Sequence, residues 1–401
     1  MSPAATPPAA LVCLADYAAA ARARLDDNAW AYVDGGAADE RTLAANVQAW
    51  GDIPLSARVL RPMAGGHTRV TLLGRTLAHP ILLAPVAYQR LAHPDGELAV
   101  AQAAAALQAG MVLSTQSSVP VEAVARILCT DPAAGPLWFQ LYLQHDRGFT
   151  LDLVRRAEAA GCEALVLTVD APVQGARDRE RRTGFRLPPG VRAVHLDGLP
   201  PRPARALGPG QSALFDGLLA DTPTWDDVAW LRAQTRLPLL LKGVTHPEDA
   251  RLAQSAGVDG LVVSNHGGRT LDTLPATATL LPRIADAVGG DLPLLVDGGI
   301  RRGTDVLKAL ALGARAVLIG RPVVHALAVG GARGVAHVLR LLRDELEIAM
   351  ALTGCTTLDN VEIHRLQLDA GQTERPPAGY SDCLFDARAR LPTSDEGPAC
   401  R

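Results

Sequence analysis

Residues 294–321 read LLVDGGIRRGTDVLKALALGARAVLIGR and contain one complete strand–helix–strand unit. The apolar run LLV stops abruptly at the polar, glycine-rich segment DGGIRRG. The segment TDVLKALAL then repeats its apolar residues at helical spacing, and a glycine follows where the helix should end. A second apolar run, AVLI, leads into Gly320 and Arg321. This pattern predicts two parallel strands that are joined by a helix.

The same unit recurs along the chain. Helical patterns stand between short apolar runs, at 97–109, 150–160, 247–256 and 304–312. Eight such alternations predict an α/β fold of the (β/α)8 TIM barrel type. An open doubly wound sheet is the alternative, but no GxGxxG segment follows an early strand. The eight predicted strands are 81–84, 111–113, 137–142, 164–169, 238–241, 261–263, 294–296 and 316–319.

Local signals mark where several helices should begin and end. A threonine followed three residues later by an acidic residue is typical of a capping box, which predicts helix starts at Thr224 with Asp227 and at Thr245 with Glu248. Glycine is the usual residue just beyond a helix. It therefore predicts helix ends at Gly110, Gly161, Gly257 and Gly313.

One barrel domain is predicted at 11–370, and four regions lie outside its regular repeat. Residues 14–74 are expected to form helices and a hairpin that cap the barrel, after a disordered lead at 1–10. Between the fourth and fifth predicted strands, the Pro-, Gly- and Arg-rich segment 171–223 predicts a mobile lid, with a solvated linker as the alternative. A loosely packed tail is expected at 371–401.

Composition excludes several classes of protein. The 401 residues are 48% hydrophobic and 20% charged, which is ordinary for a globular protein with a large core. A net charge of −3 without a long basic run argues against a nucleic-acid partner. The six cysteines form no CxxC pair, which favours reduced thiols in the cytoplasm over a metal site. No uninterrupted apolar stretch is long enough to predict a membrane span.

The segment SNHGGR, Ser264 to Arg269, directly follows the sixth predicted strand. It places an imidazole base, His266, three residues from a permanent cation, Arg269. A base beside a fixed positive charge suits the removal of a proton from an anionic substrate. A lone histidine at a strand end is more often structural, but polar or titratable residues also follow most of the other strands. Because active-site groups of β/α barrels come from the carboxyl ends of strands, we expect an active site there.

The ends of the last two strands predict a phosphate site. Loops after these strands bind phosphate in many barrels, through backbone N–H groups and helix N-termini. Gly298, Gly299 and Gly320 would let the backbone approach a phosphate closely. Arg301 and Arg321 would add positive charge and forked donors.

Five segments, VVSNHGGR, LVDGGIRRGTDVLKALALGA, VLIGRPV, LTVDAP and WFQLY, resemble the family of FMN-dependent 2-hydroxy acid oxidases and dehydrogenases, which includes the glycolate, lactate and mandelate enzymes. The resemblance runs from about residue 14 to about residue 366. It implies a β/α barrel that holds FMN at its carboxyl face. That fold agrees with the one predicted from the repeated units.

The resemblance implies roles for the polar residues that contact the substrate. It makes His266 the catalytic base and Asp170 the carboxylate that orients it and stabilises its imidazolium. Tyr142 is expected to bond the hydroxyl side of the substrate. The substrate carboxylate is expected to pair with both Arg177 and Arg269, because forked pairing gives charge and orientation together. Tyr32 is expected to add a hydroxyl.

The resemblance also implies an FMN site. Lys242 is expected near the N1–O2 edge of the flavin, where a cation stabilises the anionic reduced ring. Structural roles are the alternative for several of these residues, such as a Lys242 that extends to the rim or a Tyr142 that packs in the barrel. The other residues expected to contact FMN are Pro85, Val86, Ala87, Ser114, Gln140, Thr168, Ser264, Asp297, Gly298, Gly299, Arg301, Gly320 and Arg321.

Three expected pocket residues depart from the short-chain members of the family. Val86 stands where many members have threonine, Gln116 where glycolate oxidase has tryptophan, and Gln174 where an apolar residue is usual. The segment APVAYQRLAHPDGE resembles that of hydroxymandelate-type oxidases. These departures favour a larger 2-hydroxy acid, aromatic acids included.

The sequence therefore predicts an FMN enzyme that oxidises an (S)-2-hydroxy acid to the 2-oxo acid and reduces O₂ to hydrogen peroxide. It leaves open whether electrons pass as hydride or through a carbanion. One alternative is a dehydrogenase that uses a quinone or a carrier protein, and two others are an FMN-dependent isomerase and a flavin-binding barrel without turnover. We expect a cytoplasmic homo-oligomer, a tetramer or an octamer, with a small-molecule substrate and no nucleic-acid or membrane partner.

Overall fold

The computed structural model describes residues 11–203 and 205–367. The predicted lead at 1–10 and the predicted tail at 371–401 lie outside the described residues, as does the end of the predicted barrel domain. Within the described part of the chain, eight parallel strands pair in chain order and close into a barrel, in which the last strand pairs with the first. The predicted TIM barrel is confirmed.

The barrel strands lie where apolar, mostly β-branched or leucine-rich runs occur in the sequence. A short antiparallel hairpin, β1 (Val70–Leu72) and β2 (Arg75–Leu77), precedes them. Nearly every position of the barrel strands is buried, as expected when helices cover the outer face of a parallel sheet. The barrel strands are β3 (Ile81–Leu83), β4 (Gly110–Ser114), β5 (Leu137–Leu141), β6 (Ala164–Thr168), β7 (Leu239–Val244), β8 (Gly260–Val263), β9 (Leu294–Val296) and β10 (Ala316–Ile319).

Twelve α-helices are present in the described residues. Three precede the barrel, and most of the others connect successive strands across the outside of the barrel, which is the connection that parallel strands require. Their bounds are α1 (Leu14–Arg22), α2 (Asp27–Asp34), α3 (Arg41–Gly51), α4 (Glu97–Leu107), α5 (Val121–Leu128), α6 (Arg147–Ala159), α7 (Asp178–Thr183), α8 (Trp225–Gln234), α9 (Pro247–Ser255), α10 (Thr277–Val288), α11 (Gly303–Ala311) and α12 (Arg321–Thr353).

Two of the predicted helix boundaries are wrong. The N-cap of α9 is His246, whose Nδ1 accepts a hydrogen bond from the Glu248 backbone N–H, and not Thr245. Pro247 is pre-organised for the first helical position, which moves the cap to the residue before it. Gly110 begins β4 instead of ending α4, which ends at a left-handed Gln108.

The predicted boundaries at Thr224, Gly161, Gly257 and Gly313 are confirmed. Thr224 and Asp227 form the capping box of α8. The glycines predicted to follow helices have the positive φ that favours glycine, with values of 88° at Gly161, 72° at Gly257 and 106° at Gly313.

The pre-barrel segment covers both ends of the barrel. The hairpin places Leu72 and Leu77 in the apolar cluster inside the barrel, so it closes the amino-terminal end. Helix α3 lies at the opposite end, where the Trp50 indole N–H donates to the carbonyl of Gly298, 2.8 Å away. The predicted cap of helices and a hairpin is thus present, but its two parts lie at opposite ends.

Helix α12 completes the barrel wall. By length and composition it is the one helix among the described residues that could cross a membrane. However, 67% of its most apolar window is buried inside the protein, and the helix packs against α1, α4 and α11. Its backbone also bends at Gly330 and Gly331, which have non-helical dihedral angles. These contacts are those of a core helix.

The insertion between β6 and β7 has local structure, because it contains α7 and a single helical turn at Val194–Leu196. That turn buries His195, which is 1% exposed. Its Nε2 accepts from the Val121 backbone N–H at 2.8 Å, and its ring packs edge-on against Phe139. The middle of the insertion is therefore anchored to the barrel, while its mobility stays a prediction.

Two buried histidines should make the protein less stable in acid. Burial lowers the pKa of both His195 and His79 from 6.5 to about 4. Below pH 6.5 the unfolded chain therefore binds protons that the folded protein does not. The stabilisation is complete above pH 6.5 and is lost as the pH falls towards 4, by up to about 3 kcal/mol for each histidine. Urea unfolding at pH 7 and pH 4.5 measures this loss.

The variant His195→Gln tests the assignment. Glutamine can still accept from the Val121 N–H but does not titrate. We expect near-wild-type stability at pH 7 and a smaller loss of unfolding free energy at pH 4.5. An unchanged loss would show that His195 does not carry this pH dependence.

Candidate active site

The predicted site residues meet at the carboxyl ends of the strands. All of them except Asp170 and Ser264 line one open cavity of ≈ 1570 Å³. Asp170 and Ser264 lie behind the wall, where they contact His266 and Lys242. The structure thus brings together side chains that are spread from Tyr32 to Arg321 along the chain, and their individual roles stay predictions.

His266 and Asp170 form a hydrogen-bonded pair. His266 Nδ1 lies 2.7 Å from Asp170 Oδ1. Burial raises the pKa of Asp170, but the neighbouring His266 and Lys242 outweigh burial, so its pKa is lowered and it is ionised. The carboxylate therefore holds the proton on Nδ1 and leaves Nε2 free to accept one. Burial lowers the pKa of His266, so the neutral, basic form is favoured.

The backbone of the SNHGGR loop has an unusual conformation. His266 has φ 57°, a left-handed value that is uncommon for a residue with a side chain. Its backbone N–H donates to Ser264 Oγ at 3.0 Å. A Cβ on Gly268 would lie 2.6 Å from the Leu43 backbone nitrogen, so the loop can pack on α3 only with glycine there. These constraints hold the imidazole at the cavity.

A bulge in β7 aims Lys242 at the site. The strand register shifts between Lys242 and Val244, and Gly243 between them has φ 113°. A Cβ on Gly243 would lie 2.4 Å from the Cβ of Asp170. Glycine is therefore required for Asp170 to reach His266 while Lys242 points into the barrel mouth.

Lys242 belongs to a buried polar cluster. Its Nζ donates to Ser264 Oγ at 3.0 Å and lies 3.2 Å from Asp297 Oδ2. Ser264 in turn donates to Asp297 Oδ1 at 2.6 Å. Burial lowers the pKa of Lys242, but Asp297 and Asp170 outweigh it, so the net pKa is raised and the amine is a cation. The site thus contains a fixed positive charge held by three neighbouring strands.

Gln140 offers an unpaired donor to a flavin. Its Oε1 accepts from Ser114 Oγ and from the Thr115 backbone N–H, both at 3.2 Å. These bonds fix the amide so that Nε2 is the free group. That nitrogen is buried without a hydrogen-bond partner among the described residues. A carbonyl oxygen or a ring nitrogen of a bound flavin fits this donor.

Two partly buried arginines fit a phosphate. Arg301 and Arg321 line the cavity, and Arg321 donates to the carbonyls of Asp34, Gly35 and Gly267. Burial, together with the neighbouring cations of Arg269 and Arg301, lowers the pKa of Arg321 to about 9. An anion between these groups would relieve their repulsion. The residues at the ends of β9 and β10 therefore fit the phosphate of FMN.

Arg177 and Arg269 lie side by side at the mouth of the cavity. The side chain of each is 14% exposed. Arg269 donates to the carbonyls of Tyr32 and Gly35, each at 2.7 Å, and its guanidinium lies 5.0 Å from the centre of the Tyr32 ring. Arg177 Nε donates to the Arg269 carbonyl. The pair can present forked donors to a carboxylate.

Two tyrosines add neutral hydroxyls. Burial raises the pKa of Tyr32 to about 12 and also raises the pKa of Tyr142. Both phenols therefore stay protonated at neutral pH and can donate. The Tyr32 ring stacks on Phe185 with centroids 4.7 Å apart and tilts against Tyr88. One wall of the cavity mouth is consequently aromatic.

Sequence reasoning missed several residues that shape the site. Glu180 Oε1 lies 3.1 Å from Arg177 Nη1 and 3.5 Å from Arg269 Nη2. The spacing Arg-x-x-Glu on a helix could have indicated its pairing with Arg177. Asn46 on α3 and Asn265 exchange two amide hydrogen bonds, of 2.8 and 2.9 Å, that tie the SNHGGR loop to the pre-barrel segment. No local signal connects residues so far apart in the chain.

The three residues that depart from the short-chain members all line the cavity. Val86 follows β3, Gln116 follows β4, and Gln174 lies in the insertion. Gln174 Nε2 donates to Glu180 Oε2 at 3.2 Å. Gln174 therefore contacts Glu180, the carboxylate that lies beside Arg177 and Arg269.

Comparison with known proteins agrees with this geometry. The family model described as FMN-dependent dehydrogenase matches residues 21–368. The L-lactate oxidase of Roseobacter sp. (strain GAI101) is 51% identical over 350 residues, which cover 87% of this chain and 93% of that protein. Glycolate oxidase 1 of Zea mays is 46% identical over 347 residues, covering 86% and 93%.

Solved structures of similar sequence share the barrel. The crystal structure of mandelate oxidase with (S)-2-phenylpropionate is similar with a TM-score of 0.79 at 45% identity. The similarity covers 89% of this chain and 98% of that one. The predicted resemblance is therefore confirmed by both sequence and structure.

Proposed function

Because the chain belongs to the FMN-dependent dehydrogenase family, we propose that it oxidises an (S)-2-hydroxy acid to the corresponding 2-oxo acid. The observation that carries this proposal is the meeting of a base, His266, with the paired cations Arg177 and Arg269 in one cavity. Residues fit for the flavin and its phosphate line the same cavity. FMN, when bound, supplies the acceptor for the two electrons that leave the substrate.

The side chains of the protein bind the substrate, orient it and accept its proton. Arg177 and Arg269 bind and orient the substrate carboxylate, and Tyr142 donates a hydrogen bond to the hydroxyl side. His266 Nε2 takes a proton from the bound substrate, and Asp170 stabilises the resulting imidazolium. Lys242 contributes a fixed cation where negative charge develops.

The substrate side chain is proposed to be apolar. Val86, Tyr88 and the stacked Tyr32 and Phe185 line the cavity beside the arginine pair. These walls suit a methyl or phenyl group better than a charged one. Both lactate and mandelate fit this description. The proposed substrates therefore include the larger, aromatic acids that are expected from the sequence.

We propose that O₂ reoxidises the enzyme and yields hydrogen peroxide. The similar proteins are oxidases by name, which supports this acceptor over a quinone or a carrier protein. The test is anaerobic addition of glycolate, (S)-lactate or (S)-mandelate to the FMN holoenzyme. We expect (S)-lactate or (S)-mandelate to bleach the visible flavin band. Fast recovery on admitting air, with peroxide formed, is expected of an oxidase.

The other outcomes separate the alternatives. Slow recovery in air with fast dye reduction would indicate a dehydrogenase with another acceptor. A flavin that no 2-hydroxy acid bleaches would overturn the proposed substrate class and favour an isomerase or a binding barrel without turnover.

We further propose a cytoplasmic homo-oligomer, a tetramer or an octamer. Family resemblance supports the oligomer. The four cysteines among the described residues are free thiols, which suits a reducing compartment. Light scattering of the purified holoenzyme measures the subunit number, and a monomer would contradict the first part of this proposal.

A further inference from the structure

The two arginines that face the substrate carboxylate already share a carboxylate of the protein. Glu180 Oε1 lies 3.1 Å from Arg177 Nη1 and 3.5 Å from Arg269 Nη2. It therefore lies between the two guanidiniums. The sequence predicts that both arginines pair with the substrate carboxylate. The structure shows that Glu180 already balances part of their positive charge.

Glu180 is held firmly in this position. It lies on α7, and its side chain is 8% exposed. Its second oxygen, Oε2, accepts from Gln174 Nε2 at 3.2 Å. One oxygen thus faces the arginines and the other faces Gln174. The arrangement is a built cluster of three charged groups and one orienting amide.

The charges of this cluster determine which anion it suits. Arg177 and Arg269 carry two positive charges, and Glu180 carries one negative charge. A ligand with one carboxylate leaves the cluster neutral, whereas a dianion leaves it with an excess negative charge. In a poorly solvated site such an excess is costly.

We propose that Glu180, oriented by Gln174, is a specificity-determining residue that restricts this site to monocarboxylates and disfavours dianions. The proposal rests on the proposed function, because it assumes that the arginine pair binds the acid. It adds that the protein selects its substrate by charge as well as by the shape of the apolar wall. Dicarboxylic 2-hydroxy acids are therefore poor substrates.

The test compares two nearly isosteric ligands, oxamate with one negative charge and oxalate with two. Calorimetry on the FMN holoenzyme measures both dissociation constants, and perturbation of the flavin spectrum gives a second readout. Glu180→Gln removes the negative charge of the cluster, so its net charge becomes more positive by one. We expect oxamate to bind roughly tenfold more tightly and oxalate roughly a hundredfold, because a dianion experiences the added charge twice.

A matched control removes the same charge from another part of the insertion. Asp197 pairs with Arg192 on the exposed surface. The variant Asp197→Asn should leave the ratio of the two dissociation constants unchanged. Equal changes for oxamate and oxalate in Glu180→Gln, or a parallel loss of both, would overturn the proposal and show that Glu180 only supports the arginines.

Two further variants keep the test decisive if Glu180→Gln does not retain FMN. Glu180→Asp keeps the charge and should keep a ratio close to that of the wild type. Gln174→Leu removes the hydrogen bond that orients the Glu180 carboxylate. The ratio of the two dissociation constants should then change in favour of oxalate binding. A ratio that stays constant in Gln174→Leu overturns the orienting role of Gln174. A failure of the proposed function would be distinguishable from a failure of this proposal. In that case no 2-hydroxy acid would bleach the flavin of the wild-type protein.

Discussion

The variant His266→Gln is expected to reduce its flavin more slowly than the wild type by a factor on the order of 10³, because it lacks the base that takes the substrate proton. Glutamine has a similar size, and its side chain does not accept a proton at neutral pH. FMN binding should be retained, because His266 is not among the residues that fit the phosphate. Anaerobic stopped-flow mixing with (S)-lactate or (S)-mandelate measures the reduction rate directly.

A surface histidine provides the control. His246 caps α9, and its side chain is 61% exposed. The variant His246→Gln should reduce its flavin at the wild-type rate. If His266→Gln also keeps a near-native rate with FMN bound, His266 is not the base, and the candidate mechanism fails.

The pH dependence of the wild type follows from the same group. His266 must be neutral to accept a proton, and burial lowers its pKa below 6.5 in the free enzyme. The value of kcat/KM, which reports the free enzyme, should therefore be on its plateau at pH 7. It should decrease only at pH values below 6.5.

The barrel could be predicted because its evidence is local and repeated. Each strand is a short apolar run, and each connecting helix has its own periodicity, so one wrong boundary does not change the fold. The errors at Thr245 and Gly110 arose where a neighbour took the expected role, His246 beside Pro247 and Gln108 at the end of α4. Such choices depend on one-residue differences in backbone conformation.

The site could be predicted in part, because strand ends are visible in the sequence and the fold brings them together. The missed contacts have a different origin. Glu180 reaches Arg269 from an insertion whose path no periodic signal describes, and Asn46 meets Asn265 across 219 positions of the chain. Only the closed barrel with its pre-barrel helices determines these distances. These two pairings, which depend on tertiary structure, were therefore absent from the sequence prediction.

The variant Lys242→Met is expected to lose both stability and flavin reduction. The side chains of Lys242 and Asp297 are only 5% and 10% exposed and lie 3.2 Å apart. Removing the cation leaves the carboxylate of Asp297 buried without its counter-charge, at a cost of about 3–5 kcal/mol. Loss of the cation should also slow flavin reduction by a factor on the order of 10² to 10³. Thermal unfolding at saturating FMN and anaerobic stopped-flow mixing measure the two effects.

A double variant separates the two effects. In Lys242→Met with Asp297→Asn, both charges of the buried ion pair are removed together, and asparagine can still accept from the Ser264 hydroxyl, which now donates to Asp297 at 2.6 Å. Thermal stability should therefore recover in large part, since removing both partners of a buried pair is often nearly neutral. Flavin reduction should stay slow, because the cation is still missing. If the double variant regains the reduction rate together with its stability, Lys242 supports the barrel mouth and contributes no charge to the reaction.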